Sequence, residues 1–139
     1  MKTLQQLLVQ LKPLQVAGSL ELSICAIEID SRKVKAGTAF IAITGVQTDG
    51  HAFINKAIEL GAVAIACETM PAELVAGITY VKVANTQEAT ARMAVEFYNH
   101  PSTQVKLVGV TGTNGKTTIA TLLFKLFRQL GYKCGLIST

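Results

Sequence analysis

Tryptophan is absent from this 139-residue chain, and its five phenylalanines and three tyrosines are not interleaved with cations as in a base-stacking platform for nucleic acid. The three cysteines, Cys25, Cys67 and Cys134, are far apart and share no Cys-x-x-Cys spacing. That excludes a disulfide scaffold or zinc ribbon and predicts buried free thiols in a reducing compartment. Two histidines, His51 and His100, have no partner at metal-ligand spacing, so no metal site built wholly of protein side chains is expected. Only 16% of residues are charged, the net charge is +4, and Arg32, Lys33 and Lys35 form the one local basic cluster. Such a balance provides no nucleic-acid footprint and suits a small anionic ligand. No apolar run approaches the roughly 18 residues needed to cross a bilayer, and the N-terminus lacks the layout of a signal peptide. The chain is expected to be cytoplasmic, with neither membrane nor nucleic acid as partner.

Half of the residues are apolar, enough for one core, or for one complete domain and part of a second. The elements alternate as in an α/β protein. Thr3 and Gln6 spell a capping box for a first helix, with Leu4, Leu7, Leu8 and Leu11 on one face and Pro13 ending it. Residues 23–29 and 38–43 read as strands, and Asp49-Gly50 as a turn. Residues 52–60 read as a short helix with Phe53, Ala57 and Leu60 inward, closed by Gly61. Strands are expected at 62–67 and 80–83, and Asn85 caps a helix reaching Tyr98 with Ala89, Met93 and Phe97 on its buried face. Asn99-His100-Pro101-Ser102 reads as a linker, dividing a first domain at 1–100 from a second beginning at 101.

Beyond the linker stands the most informative segment. Residues 105–110 form an apolar, β-branched run suited to a buried parallel strand, followed by Thr111-Gly112-Thr113-Asn114-Gly115-Lys116-Thr117-Thr118. Gly112 and Gly115 let backbone N–H groups turn inward around a phosphate, Lys116 supplies a mobile positive charge, and the Thr117 hydroxyl is placed to ligate Mg²⁺. A helix follows at once, with Ile119, Leu122, Leu123, Leu126, Phe127 and Leu130 at helical spacing and Gly131 as its stop, and its N-terminal partial charge favours an anion. The strict pattern G-x-x-x-x-G-K-[ST] requires glycine at 110, where this chain has Val110, so the loop is a variant. After this helix only the start of another strand remains, so the second domain is expected to be incomplete, as in the N-terminal part of a longer enzyme.

The loop from Thr111 to Thr118 resembles the ATP-binding loop of the Mur ligases, which carries this shortened pattern. The upstream order is similar to their uridine-nucleotide domain: Asp30-Ser31-Arg32-Lys33-Val34, Gly37-Thr38-Ala39-Phe40-Ile41-Ala42, Gly45, and Asp49-Gly50-His51-Ala52-Phe53-Ile54. Within the family, the spacing most resembles the branch that adds the third residue of the peptidoglycan stem peptide.

The resemblance implies a small α/β UDP-sugar domain at 1–100 and the beginning (strand, P-loop, helix, strand) of a P-loop ATPase-type central domain at 101–139. It implies ATP and Mg²⁺ as cofactors, with UDP-N-acetylmuramoyl-L-alanyl-D-glutamate and an amino acid, meso-diaminopimelate ahead of L-lysine, as substrates joined through an acyl phosphate. By position, Gly112, Thr113, Asn114, Gly115, Lys116, Thr117 and Thr118 would hold ATP, with Lys116 catalytic and Thr117 on the metal. Ile29, Ser31, Val46, Gln47 and Thr48 would hold the UDP-sugar, Ile29 through its backbone because its side chain is expected to be buried. The family's other catalytic groups would lie past Thr139, leaving the 139 residues inactive by themselves. The residues leave open the neighbouring ligase branch that shares Asp-Ser-Arg, another P-loop kinase or NTPase, and a non-catalytic uridine-nucleotide module. They do not set the oligomeric state.

Overall fold

A computed structural model describes residues 1–45 and 48–138, leaving Val46, Gln47 and Thr139 outside the described residues. The chain divides into two compact units, Met1–Ser102 and Thr103–Thr139.

The first unit is a layered α/β structure. Its elements are β1 (Lys2–Thr3), α1 (Leu4–Leu7), β2 (Gln15–Ala17), β3 (Ser23–Ile24), β4 (Ala26–Glu28), β5 (Thr38–Ile41), α2 (Ile54–Glu59), β6 (Ala62–Cys67), β7 (Thr79–Lys82) and α3 (Thr86–Phe97). Five strands form the main sheet in the order β2-β7-β6-β5-β4. The four from β4 to β7 run parallel, and β2 adds antiparallel to β7 at the edge.

Period-two alternation sends side chains to both faces of this sheet. Ala39 and Ile41 of β5 and Ala64 and Ala66 of β6 join Leu4 and Leu7 of α1 and Ala89 and Met93 of α3 in one buried layer. Phe40, Ile65 and Tyr80 point the other way, onto Ile54 and Ala57 of α2. With both faces covered, the parallel strands read as continuous apolar runs, and β5 is buried at all four positions.

The local signals for the helix starts are realised. Thr3 Oγ1 accepts from Gln6 N–H while Gln6 Oε1 accepts from Thr3 N–H, closing the capping box. Asn85 Oδ1 accepts from the Glu88 N–H at 2.8 Å. β6 has the limits that the sequence predicts.

Several expectations are corrected. The predicted strand at 23–29 is two, because β3 pairs with β1 in a two-stranded ladder whereas β4 joins the main sheet. Cys25, at the switch, is exposed with its thiol donating to the Ala36 carbonyl at 3.0 Å, and Cys134 is exposed too, so only Cys67 is a buried thiol. Phe53 and Leu60 are 40% and 38% exposed, while Ile54 is buried. A 3₁₀ turn at Gly50–Phe53 precedes α2, and its tighter winding rotates the inward face by one residue.

In the second unit, α4 (Lys116–Gln129) ends in a paired closure: Gly131 N–H donates to Arg128 O and Tyr132 N–H to Phe127 O. Residues 105–110 and the segment after Gly131, both predicted as strands, form no strand among the described residues. An extended run becomes a strand only with a neighbour to complete its ladder, and the described residues of this unit contain no such sheet. The apolar face of α4 is accordingly half exposed, Ile119 at 48% and Leu122 at 60%.

Candidate functional site

Two clusters of chemistry-bearing residues occur, one in each unit. In the second unit, Gly115 precedes α4 with φ 75° and ψ 3°, a left-handed conformation, and Gly112 has φ 149°. Both glycines of the predicted loop thus occupy backbone conformations that side chains disfavour. A Cβ built on Gly115 would meet nothing within 4 Å, so the turn is open to an incoming group. No side chain caps α4 and no acidic residue lies in its first turn, which leaves its positive end available to an anion.

Lys116 Nζ folds back over this turn, donating to the carbonyls of Gly112 at 2.7 Å and Thr113 at 3.3 Å. The ammonium is therefore held above the loop, where phosphate oxygens would replace neutral carbonyls as stronger, charge-assisted acceptors. Gly112, Thr113, Asn114, Gly115, Lys116, Thr117 and Thr118 are all exposed. An open cradle, a positive helix end and a mobile cation fit a polyphosphate, and the Thr117 hydroxyl in the first turn fits one oxygen ligand of Mg²⁺.

In the first unit, the ladder pairing of Glu28 with Phe40 sets the segments after β4 and β5 side by side at the sheet's carboxyl edge, where open parallel sheets bind ligands. Ile29 and Ser31 follow β4. Ser31 is half-buried at the start of the 3₁₀ turn Ser31–Lys33. Ile29 is 53% exposed, contrary to the expectation that it would be buried, because β4 has ended at Glu28 and the residue lies beyond the packed sheet.

Asp30 is occupied locally. Its Oδ1 accepts from Arg32 N–H at 3.0 Å and Arg32 Nε at 2.9 Å, and its Oδ2 accepts from Arg32 Nη2 at 2.8 Å. The Arg32 side chain, then its backbone N–H, lower the Asp30 carboxyl to about 2. Of the predicted residues after β5, Thr48 is exposed, with its carbonyl accepting from Gly45 N–H at 3.1 Å, while Val46 and Gln47 lie outside the described residues.

Sequence reasoning missed a polar network beside this edge. Asp49 Oδ1 accepts from His51 N–H at 2.9 Å and lies 2.7 Å from His51 Nδ1. His51 Nε2 accepts from the N–H groups of Glu68 at 3.1 Å and Thr69 at 3.2 Å. Two donors facing Nε2 make it the unprotonated nitrogen, so Nδ1 bears the proton and donates to Asp49. Glu68 Oε1 accepts from both the N–H and hydroxyl of Thr86 at 2.8 Å, and Oε2 from the Thr44 hydroxyl at 3.3 Å. Backbone and side-chain bonds from Thr86 hold the Glu68 carboxyl below 4.5, its ordinary value, and those from His51 hold Asp49 below 3.8. Thr44, Asp49, His51 and Glu68, with Asn55 and Met70, line an open cleft of about 520 Å³. The available signal was Glu68 itself, an acidic residue directly after the apolar run of β6.

Among the described residues, no three His, Cys, Asp or Glu side chains converge on a point suited to a metal ion. No helix among them is long and apolar enough to cross a membrane.

The family model described as Mur ligase family, catalytic domain, matches residues 23–98. Over 136 residues, 98% of the chain, the sequence is 52% identical to UDP-N-acetylmuramoyl-L-alanyl-D-glutamate--2,6-diaminopimelate ligase of Bacteroides fragilis. It is 55% identical to the protein of the same name from Bacteroides thetaiotaomicron. The chain spans 28% of the length of each of these curated relatives. A solved UDP-N-acetylmuramoyl-L-alanyl-D-glutamate--2,6-diaminopimelate ligase superposes with TM-score 0.65 and 28% identity, over 99% of this chain and 28% of that one. MurF from Acinetobacter baumannii gives TM-score 0.69 and 27% identity over 92% of this chain and 28% of its own. MurF from Thermotoga maritima, solved in complex with ADP, gives 0.54 and 29% over 78% and 24%. With a family match across more than half of its residues, on a parallel sheet followed by a phosphate-type loop, the chain belongs to the Mur ligase family.

Proposed function

We propose that this chain is the N-terminal part of an ATP-dependent ligase that joins diaminopimelate to UDP-N-acetylmuramoyl-L-alanyl-D-glutamate. Residues 1–100 form its UDP-sugar domain, and 101–139 begin its ATP-binding central domain. The observation that carries the reading is a continuous match of 52–55% identity over 98% of the chain, which takes in both the Asp30-Ser31-Arg32 turn and the Lys116 loop. The solved structures of the two branches share the fold at 27–29% identity alike, so it is the curated relatives at 52–55% identity that favour the diaminopimelate-adding branch.

In this reading Ile29, Ser31, Val46, Gln47 and Thr48 bind the sugar nucleotide. The Ser31 hydroxyl supplies a hydrogen bond, and the exposed Ile29 side chain, rather than its backbone alone, supplies an apolar contact. Gly112, Thr113, Asn114, Gly115, Lys116, Thr117 and Thr118 bind the ATP phosphates. Lys116 leaves the Gly112 and Thr113 carbonyls to neutralise charge on the transferring phosphoryl group. Thr117 would hold Mg²⁺ in part, and the ion, when bound, would add to the neutralisation of that charge. That transfer releases ADP and leaves an acyl phosphate at the substrate carboxylate; the amine of the amino acid attacks its acyl carbon, forming the amide bond and expelling phosphate.

Calorimetric titration of the chain with UDP-N-acetylmuramoyl-L-alanyl-D-glutamate, with UDP, and with ATP and Mg²⁺ tests this assignment. Saturable binding of the UDP-sugar is expected, weakened about tenfold in Ser31→Ala, whereas Lys116→Ala affects only ATP. A folded chain that binds ATP and no uridine nucleotide would refute it in favour of another P-loop enzyme.

A further inference from the structure

The segment between β5 and α2 closes on itself through three local ties. These are the bridge between Thr44 and Asp49, the bond from Gly45 N–H to the Thr48 carbonyl, and the bond from Gly50 N–H to the Ile43 carbonyl at 2.8 Å. All three join residues 43–45 to residues 48–50 and would persist if those described residues moved together. At the root of the segment the Ala42 N–H donates to the Ala66 carbonyl of β6 at 2.9 Å, and beyond that point a different set of bonds fixes it to the body of the sheet. His51 reaches from the foot of the segment to the end of β6, where Nε2 receives two backbone N–H groups. Glu68, which provides one of them, holds Thr44 on one side and the first residue of α3 on the other.

The His51 side chain is only 17% exposed, and both ring nitrogens are engaged. The arrangement depends on one tautomer. Asp49 takes the Nδ1 proton and so leaves the Nε2 lone pair for the two N–H donors. An imidazole with its proton on Nε2 would set a donor against two donors.

We propose that His51, as the neutral Nδ1–H tautomer, is a positioning residue for the sugar-nucleotide site. It registers the segment bearing Thr48 against β6 and thereby against the Ser31 turn, which β4 carries on the same sheet. The inference rests on the reading that Thr48 and Ser31 contact the UDP-sugar. A histidine serving stability alone would change folding free energy and leave the affinity of the folded protein untouched.

The test compares His51→Ala, His51→Asn and His51→Gln in the 139-residue chain, each checked for folding by circular dichroism and titrated with UDP-N-acetylmuramoyl-L-alanyl-D-glutamate. The glutamine carbonyl reaches about as far as Nε2 and can receive the β6 amides, whereas asparagine reaches only as far as Nδ1. The Kd is expected to rise five- to tenfold in the alanine and asparagine variants, with glutamine recovering most of the loss. Nitrogen-15 spectra of the wild-type ring should show Nε2 unprotonated and Nδ1 protonated, which carries the test should a variant fail to fold. A ring protonated on Nε2, or three folded variants that bind like the wild type, would overturn the inference while leaving the sugar-nucleotide reading intact. A folded wild-type chain that does not bind the UDP-sugar overturns both.

Discussion

Replacing Gly50 by alanine should be among the more damaging single-methyl additions in the first unit, and the reason is spatial. Gly50 is not among the glycines with left-handed φ. A Cβ placed on it, however, lies 2.7 Å from both the nitrogen and the oxygen of Ile43 and 2.9 Å from the Ala42 carbonyl carbon. All three are backbone atoms just past the end of β5, which its two parallel neighbours, β4 and β6, and a buried core hold in place. To regain ordinary contact at 3.4 Å the backbones must part by roughly 0.7 Å, which would stretch the 2.8 Å bond from Gly50 N–H to Ile43 O to the limit of a hydrogen bond. Overpacking of this kind costs about 1–3 kcal/mol and the lost bond about 1 more, so a loss of about 2–4 kcal/mol is expected. Urea unfolding of the wild type and Gly50→Ala measures it, with Gly77→Ala as the contrast. Gly77 has φ 85° and nothing within 4 Å of its added Cβ, so alanine there meets conformational strain alone, about 1 kcal/mol. A Gly50→Ala protein within about 0.5 kcal/mol of wild type would refute the argument that this glycine is required by the passing backbone.

Met93→Ala should lower stability by about 2–5 kcal/mol, since Met93 is 1% exposed between α3 and the sheet and its removal leaves a cavity; equilibrium urea unfolding reads it. Asn85→Ala should cost about 1 kcal/mol by freeing the Glu88 N–H that the side chain now accepts from, measured the same way. Glu68 and Asp49 have folded-state carboxyls held below their ordinary values, so the unfolded chain takes up their protons first as pH falls. Their contribution is complete above pH 4.5 and is lost as pH falls through the folded values. Urea midpoints followed from neutral pH to about pH 3 should therefore decline less steeply in Glu68→Gln than in wild type. An unchanged slope would mean that the bonds to Thr86 and Thr44 do not favour the carboxylate.

The elements that the sequence predicts well are those whose signals are local. Asn85 before α3, the Thr3–Gln6 box before α1 and Gly131 after α4 each close on residues within a turn or two, so no knowledge of the fold is needed to recognise them. The strands that escape prediction are made by distant partners. β2 is three residues long and exists because Val81 of β7 offers it a ladder, and its residues have no alternation long enough to detect. The split of the 23–29 run at Cys25 has the same origin, since one half follows β1 and the other β5.

The two candidate sites differ in legibility for a related reason. A phosphate loop is built from consecutive residues whose unusual dihedrals require glycine, so Gly112, Gly115 and Lys116 can be picked out of the sequence and then found with φ 149°, φ 75° and an ammonium folded across the turn. A sheet-edge site is assembled from segments that follow different strands, and the side chains that orient it need share no spacing. Glu68 and Thr86 stand eighteen residues apart yet form the junction between β6 and α3. The periodicity of α4 shows a further limit. Ile119, Leu122 and Leu126 mark which face the helix turns toward a core, and that pattern is the same whether or not a sheet covers it. Helical period therefore fixed the face of α4, while its half exposure reflects the absence of strand ladders among the described residues of its unit, a property that no window of sequence around the helix contains.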